Sequence, residues 1–138
     1  MRSWTHLSRA LLLLGIATFL GATGASAQQQ DVRRIALKSG ESTELRDYSF
    51  ITDCRSIMVG TPVLDVLEGP DELSITLTEG TVIRRDRGCS TPVPGGKVIA
   101  TAKDVAEPRE AKLTIRLNYS TKNGPRQSTS VFIVSLFP

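Results

Sequence analysis

An all-β fold, a small antiparallel β-sandwich, is what this 138-residue sequence predicts. Three observations carry it. Short apolar and β-branched runs recur roughly every ten residues. Gly, Pro, Asn and Asp punctuate them. The segment KLTIRLNYS, Lys112–Ser120, alternates apolar and polar side chains without a break. An immunoglobulin-like sandwich is favoured over a small closed β-barrel. The reason is a helical turn expected over Asp104–Ala111, placed like the connection into strand F of that fold.

Taken in order, RRIAL (Arg33–Leu37) is a short strand followed by the turn KSGES, and TELRDYSFI is a second strand leading to Cys54. RSIMVG (Arg55–Gly60) is a third, ended by Thr61 and Pro62. VLDVLEG and ELSITLTEG flank Gly69–Glu72, where Pro70 and Asp71 suit a turn centre, so a hairpin is expected. In its second arm Leu73, Ile75 and Leu77 alternate with Ser74, Thr76 and Thr78, giving one buried and one wet face. KVIATAK (Lys97–Lys103) is a further strand, and Pro108 fits the first turn of the short helix expected next. In KLTIRLNYS, Leu113, Ile115, Leu117 and Tyr119 share one face, with Thr114, Arg116 and Asn118 on the other. Asn123-Gly124 marks a hairpin, with Pro125 and its polar neighbours pointing to a loop longer than two residues. STSVFIVSLF is apolar on both faces in its middle, the pattern of a central strand.

Residues 1–27 read as a cleaved signal peptide: Arg2 and Arg9, the apolar run Ala10–Ala22, then Ala25-Ser26-Ala27. The run is shorter than the roughly 20 residues of a spanning helix, so no membrane span is expected after cleavage. Residues 28–138 form one domain, periplasmic or secreted. Without Arg2 and Arg9, fifteen of the seventeen basic residues remain and nearly balance the fourteen acidic ones, which argues against a nucleic-acid partner. His6 and Trp4, the only histidine and tryptophan, fall within the leader. The remainder lacks an imidazole to activate a nucleophile or hold a metal, so no enzyme, cofactor or metal site is expected. Asp65, Glu68, Asp71 and Glu72 cluster near a turn but match no calcium loop, and they read as solvated acids. Val93–Lys97 lacks the spacing and the following helix of a phosphate loop.

Cys54 and Cys89, an even pair in an exported chain with no C-x-x-C spacing, read as a structural disulfide. Closing that loop contributes roughly 3–4 kcal/mol in the chain-entropy model.

The stretches CRSIMVGTPVLDVLEGP (Cys54–Pro70), VPGGKV (Val93–Val98) and VSLFP (Val134–Pro138) resemble small exported alphaproteobacterial proteins of unassigned function. The resemblance implies a bacterial periplasmic setting and assigns no functional residue.

Thr81–Val98, TVIRRDRGCSTPVPGGKV, is the stretch richest in candidate chemistry. Read as an extended segment, it sends Arg85 and Arg87 to one side and Arg84 to the other, an arrangement suited to an anionic partner. That partner would be an envelope component or an acidic protein surface. The expected function is a non-enzymatic binding module of the cell envelope. The alternatives are an inhibitor of secreted proteases, with this stretch as its rigid loop, or a structural envelope component. If Ile115 faces the core, Ile115→Ala lowers unfolding free energy by about 2–5 kcal/mol and Thr114→Ala by under about 1, measured by urea denaturation.

Overall fold

The computed structural model describes residues 31–138, so the leader expected over residues 1–27 lies outside it. The alternation in KLTIRLNYS is realised in a long strand whose residues Leu113, Ile115 and Leu117 are almost wholly buried. Among the described residues nine strands form: β1 (Arg33–Lys38), β2 (Ser42–Tyr48), β3 (Ile51–Thr52), β4 (Arg55–Ser56), β5 (Val59–Glu68), β6 (Leu73–Val82), β7 (Val93–Ala102), β8 (Arg109–Thr121) and β9 (Gly124–Phe137). One sheet has the order β1-β9-β8-β5, a second the order β2-β7-β6, and β3 and β4 make a separate small hairpin. All pairings are antiparallel except β1 with β9. The chain is therefore a small β-sandwich with open edges, not a closed barrel.

Register fixes which side chains share a face, because successive residues point to opposite sides. On the four-stranded sheet, Leu113, Ile115 and Leu117 pair with Phe132, Ser130 and Ser128, and Arg33, Ile35 and Leu37 pair with Phe132, Val134 and Leu136. On the other sheet Val98 and Ala100 are flanked by Leu77 and Ile75 on one side, with Arg46 opposite Val98 on the other. The large residues of β8 and β9 join Val98, Ala100 and Ala102 in one cluster, so bulk on one sheet meets small side chains on the other. β9 is a central strand, as its doubly apolar middle predicts.

Several local expectations are corrected. Gly69–Glu72 does not join a hairpin. β5 pairs with β8 and β6 with β7, so this turn carries the chain from one sheet to the other. Leu73 N–H donates to Pro70 O, which puts Asp71 and Glu72 at the turn centre. Thr61-Pro62 does not end a strand: both lie in β5, inside a register shift where Gly60 has φ 75°. An edge strand tolerates proline at such a bulge because no ladder bond is lost. Asp104–Pro108 forms no helix, and β8 begins at Arg109. The β8–β9 connection is short, since Thr121 already pairs with Gly124. Gly124, at φ 109°, supplies the left-handed residue that lets so tight a turn close.

The adjacent glycines are strand residues, not loop punctuation. Gly95 and Gly96 lie within β7, beside the buried Tyr48. A Cβ on Gly96 would collide with the Thr78 carbonyl oxygen and come within 2.7 Å of the Tyr48 hydroxyl. Gly80, in β6, has nothing within 4 Å of its own Cβ position. Gly96→Ala is thus expected to cost about 1–3 kcal/mol or more by chemical denaturation. Gly80→Ala should stay within about 1 kcal/mol of the parent.

Candidate functional site

The arginine-rich stretch is the connection of the β6–β7 hairpin, with Val82 paired to Val93. It is not extended. Arg85–Arg87 form a 3-10 turn closed by Gly88 at φ 74°. With three residues per turn, Arg85 and Arg87 are about two-thirds of a revolution apart and do not converge. Both are exposed. Arg84 is committed internally: its Nε and Nη2 donate to the two Asp86 carboxylate oxygens at 2.9 and 2.7 Å. Its Nη1 donates to both Ser49 O and Ser49 Oγ at 3.2 Å. The Nη1 bonds tie the connection to the chain just beyond β2, and the Arg84–Asp86 fork forms because a planar guanidinium matches a carboxylate edge. That hydrogen bond from Arg84 is the leading reason the Asp86 carboxyl lies at about 2.

A second tie comes from the disulfide. Cys54 and Cys89 are bonded, with Cα atoms 5.5 Å apart. Cys54 sits at the tip of the β3–β4 hairpin, where Asp53 and Cys54 have φ 50° and 59°. Two consecutive positive φ values are what a two-residue type I′ turn requires, although neither residue is glycine. Cys89 is buried, so the bridge clamps the hairpin onto the β6–β7 connection.

Beside Arg84 a cleft of about 490 Å³ opens, lined by Arg33, Arg46, Arg84, Ser130, Asp31 and Asp47 among others. Its origin is a difference in strand length. β1 pairs with Phe132–Phe137 only, whereas β9 starts at Gly124. Along Gly124–Val131 the β1 side of β9 carries no strand among the described residues.

The floor of the cleft is polar because of a β-bulge. In β2 the register with β7 shifts between Glu44 and Arg46, leaving Leu45 as the extra residue. A bulge of one residue reverses the facing of everything after it. Arg46 and Tyr48 therefore turn inward, opposite Val98 and Gly96, while Asp47 turns out. Arg46 Nη1 donates across the sandwich to Ser130 Oγ at 2.7 Å and lies 3.4 Å from Ser128 Oγ, and its Nε donates to Asp47 O at 3.2 Å. Arg33 Nη1 donates to Leu45 O at 3.1 Å. Among the described residues no carboxylate oxygen lies within 4.0 Å of Arg33 or Arg46. Burial, then the like charge of Arg33, pushes the Arg46 guanidinium below the usual arginine value.

The residues singled out from sequence and those of the cleft thus overlap only at Arg84. Arg33, Arg46, Ser128 and Ser130 come from three strands with no shared motif. The one local signal was the pairing of Arg46 with Tyr48 at spacing two, since an inward Tyr48 forces Arg46 inward. The four clustered acids disperse: Asp65 accepts from Asn118 Nδ2 at 2.6 Å, Glu68 pairs with Lys112 at 3.2 Å and Glu72 with Arg109 at 2.5 Å.

Comparison with protein-family models, characterised proteins and solved structures finds no match for this chain. Its site must be argued from its own geometry. The Arg84–Asp86 fork makes a definite prediction. The folded Asp86 value, about 2, lies below its ordinary 3.8. A depressed acid contributes its full stabilisation above the ordinary value and loses it as pH falls through the folded value. Carbon-detected NMR should therefore find the Asp86 carboxyl titrating near pH 2, and Arg84→Gln should return it toward 3.8.

Proposed function

We propose that this chain is an exported, non-enzymatic binding module of the cell envelope that recognises an anionic group in the cleft between β1, β2 and β9. One observation carries the reading: Arg46 stands half-buried on an inward-facing row, with the exposed Arg33 nearby, and neither has a carboxylate oxygen within 4.0 Å among the described residues. Charged groups withdrawn from water are ordinarily paired, so an arginine held in a cleft without a counter-ion is poised to take one from outside. Guanidinium groups bind carboxylate and phosphate oxygens through paired N–H donors. Asp31, Asp47 and Asp86 line the cleft as well, so three acids balance its three arginines and selectivity for the anion comes from the placement of the donors rather than from net charge. Exposed Arg85 and Arg87 on the neighbouring turn add longer-range attraction.

The disulfide and the leader expected from sequence both support a periplasmic or secreted setting. The strand order supports an immunoglobulin-like assignment, with β2-β7-β6 as B-E-D and β9-β8-β5 as G-F-C, the first strand lying along the G edge. The protease-inhibitor alternative asks for a projecting loop, whereas Arg84 and Cys89 fold this connection back onto the body.

The test is a succinate titration followed by the arginine Nε–H signals in ¹⁵N NMR. Saturable shifts of Arg33 and Arg46, with a Kd of about 1 mM, are expected for so small a ligand. Arg46→Gln should weaken binding about tenfold, in keeping with the loss of a charge-assisted contact. Signals that stay fixed, or shift only linearly to high concentration, overturn the reading.

A further inference from the structure

We propose that two copies of this chain associate by pairing β6 with β6, antiparallel about a two-fold axis at Thr76, which joins their three-stranded sheets into one of six strands. The proposal concerns a different side of the molecule from the anion cleft and is independent of that reading.

The connections 39–41 and 69–72 are short, so β1 and β2 edge one side of the sandwich while β5 and β6 edge the other. The described chain enters on the β1 side, away from β6. Backbone bonds show which groups of β6 look outward. Lys103 N–H donates to Glu72 O at 2.8 Å, whereas Leu73 N–H turns away to Pro70 O. Bonding direction alternates along an antiparallel strand, and β6 pairs with β7 through ten residues without a shift. Even-numbered residues are therefore bonded to β7. Ile75, Leu77, Glu79 and Thr81 turn their N–H and C=O groups to an edge that no strand covers among the described residues.

Sheet edges are ordinarily guarded by charge, proline or a bulge, because bare ones pair with other chains. The other three outer strands are so guarded. β1 carries Arg33, Arg34 and Lys38, and β2 has its bulge with Arg46 and Asp47. β5 has Pro62, two register shifts, Asp65 and Glu68. β6, LSITLTEGTV, holds no proline, no shift and a single charge, Glu79. The same side is also short of cover. Val66 pairs with the buried Ile115 and so faces between the sheets, yet it is 50% exposed. Two copies joined along β6 keep their inner faces on one side, so the open flanks of both sandwiches turn toward each other.

The sequence of β6 selects the register. Facing and bonding both require odd-numbered residues opposite odd-numbered ones. Registers that set Glu79 against itself or against Asp71 oppose two acids, which is destabilising. Centring on Thr76 avoids both and keeps the acid at the ends, opposite Leu73 of the second copy. Ile75 then meets Leu77 of the second copy on the inner face, twice by symmetry, and both are only partly buried in one copy. On the outer face Ser74 meets Thr78 and Thr76 meets its own equivalent, so hydroxyls oppose hydroxyls. A surface that matches itself in this way is what a two-fold interface requires.

The test uses the chain without its first 27 residues, which holds every described strand. Analytical ultracentrifugation should show the mass rising from one chain to two between about 1 µM and about 1 mM, the range of weak associations. The Ile75 and Leu77 amides should gain exchange protection over the same range. Thr76 is exposed, so Thr76→Lys and Thr76→Glu should leave the thermal midpoint of the monomer nearly unchanged. Each alone should weaken the dimer about fivefold, since like charges then meet at the axis, and an equimolar mixture should restore it. A mass that stays at one chain overturns the proposal. Protection of Ile75 and Leu77 already complete at the lowest concentration does the same, since a segment of the same chain then lies on the edge. A dimer indifferent to both charges, or one that mixing fails to restore, overturns pairing about Thr76.

Discussion

The structure depends on one constraint, the facing of the inward rows on the central strands. Leu113, Ile115 and Leu117 of β8 and Phe132, Val134 and Leu136 of β9 supply the bulk, and Val98, Ala100 and Ala102 of β7 the small side chains that admit it. Since side-chain facing has a period of two, a slip of one residue in any of these strands would turn its whole apolar row to solvent. The ten unbroken pairs of β6 with β7 and the continuous register of β8 with β9 hold that facing on both sheets. Everything distinctive about the molecule occurs where this regularity is interrupted.

The first interruption is at Gly95 and Gly96. Without side chains there, β7 makes room for Tyr48, whose ring is buried and whose hydroxyl finds no hydrogen-bond partner among the described residues. Burial without a partner is a cost, offset by the large apolar area a tyrosine ring withdraws from water. Nearby, Phe50 stacks on Tyr119 at a centroid distance of 3.6 Å, so an aromatic group closes this end of the core. The Arg84–Ser49 hydrogen bonds and the Cys54–Cys89 bond hold down the β6–β7 connection, two independent ties on one loop.

The second interruption is the bulge at Leu45, and it creates the site. In regular alternation from the inward Thr43, Leu45 and Asp47 would follow it inside and Arg46 would face water. The extra residue keeps Leu45 buried and brings Arg46 inward instead. The inward row of β9 changes character at the same level, from Phe132 to Ser130 and Ser128, so the arginine meets hydroxyls rather than methyl groups. Because β1 stops short there, no strand among the described residues covers the polar patch. A packed apolar core and a polar cleft thus share one pair of sheets, separated by a single step in register.

By itself the sequence determined the all-β class, the central position of the last strand, the inward row of Leu113, Ile115 and Leu117, and the pairing of Cys54 with Cys89. These are legible because period-two alternation and cysteine count are local or combinatorial properties of the chain. Tertiary structure alone decided that Gly69–Glu72 joins two sheets, that Thr61-Pro62 lies inside a strand, and that Arg85–Arg87 coil into a 3-10 turn. It also decided that Arg84 is bonded to Asp86 and Ser49 while Arg33 and Arg46 line the same cleft without a carboxylate partner among the described residues. The physical reason is common to all of these. Which edge a strand meets, and which way a residue faces after a bulge, are set by the partner strand's register, and that partner lies far away in the chain.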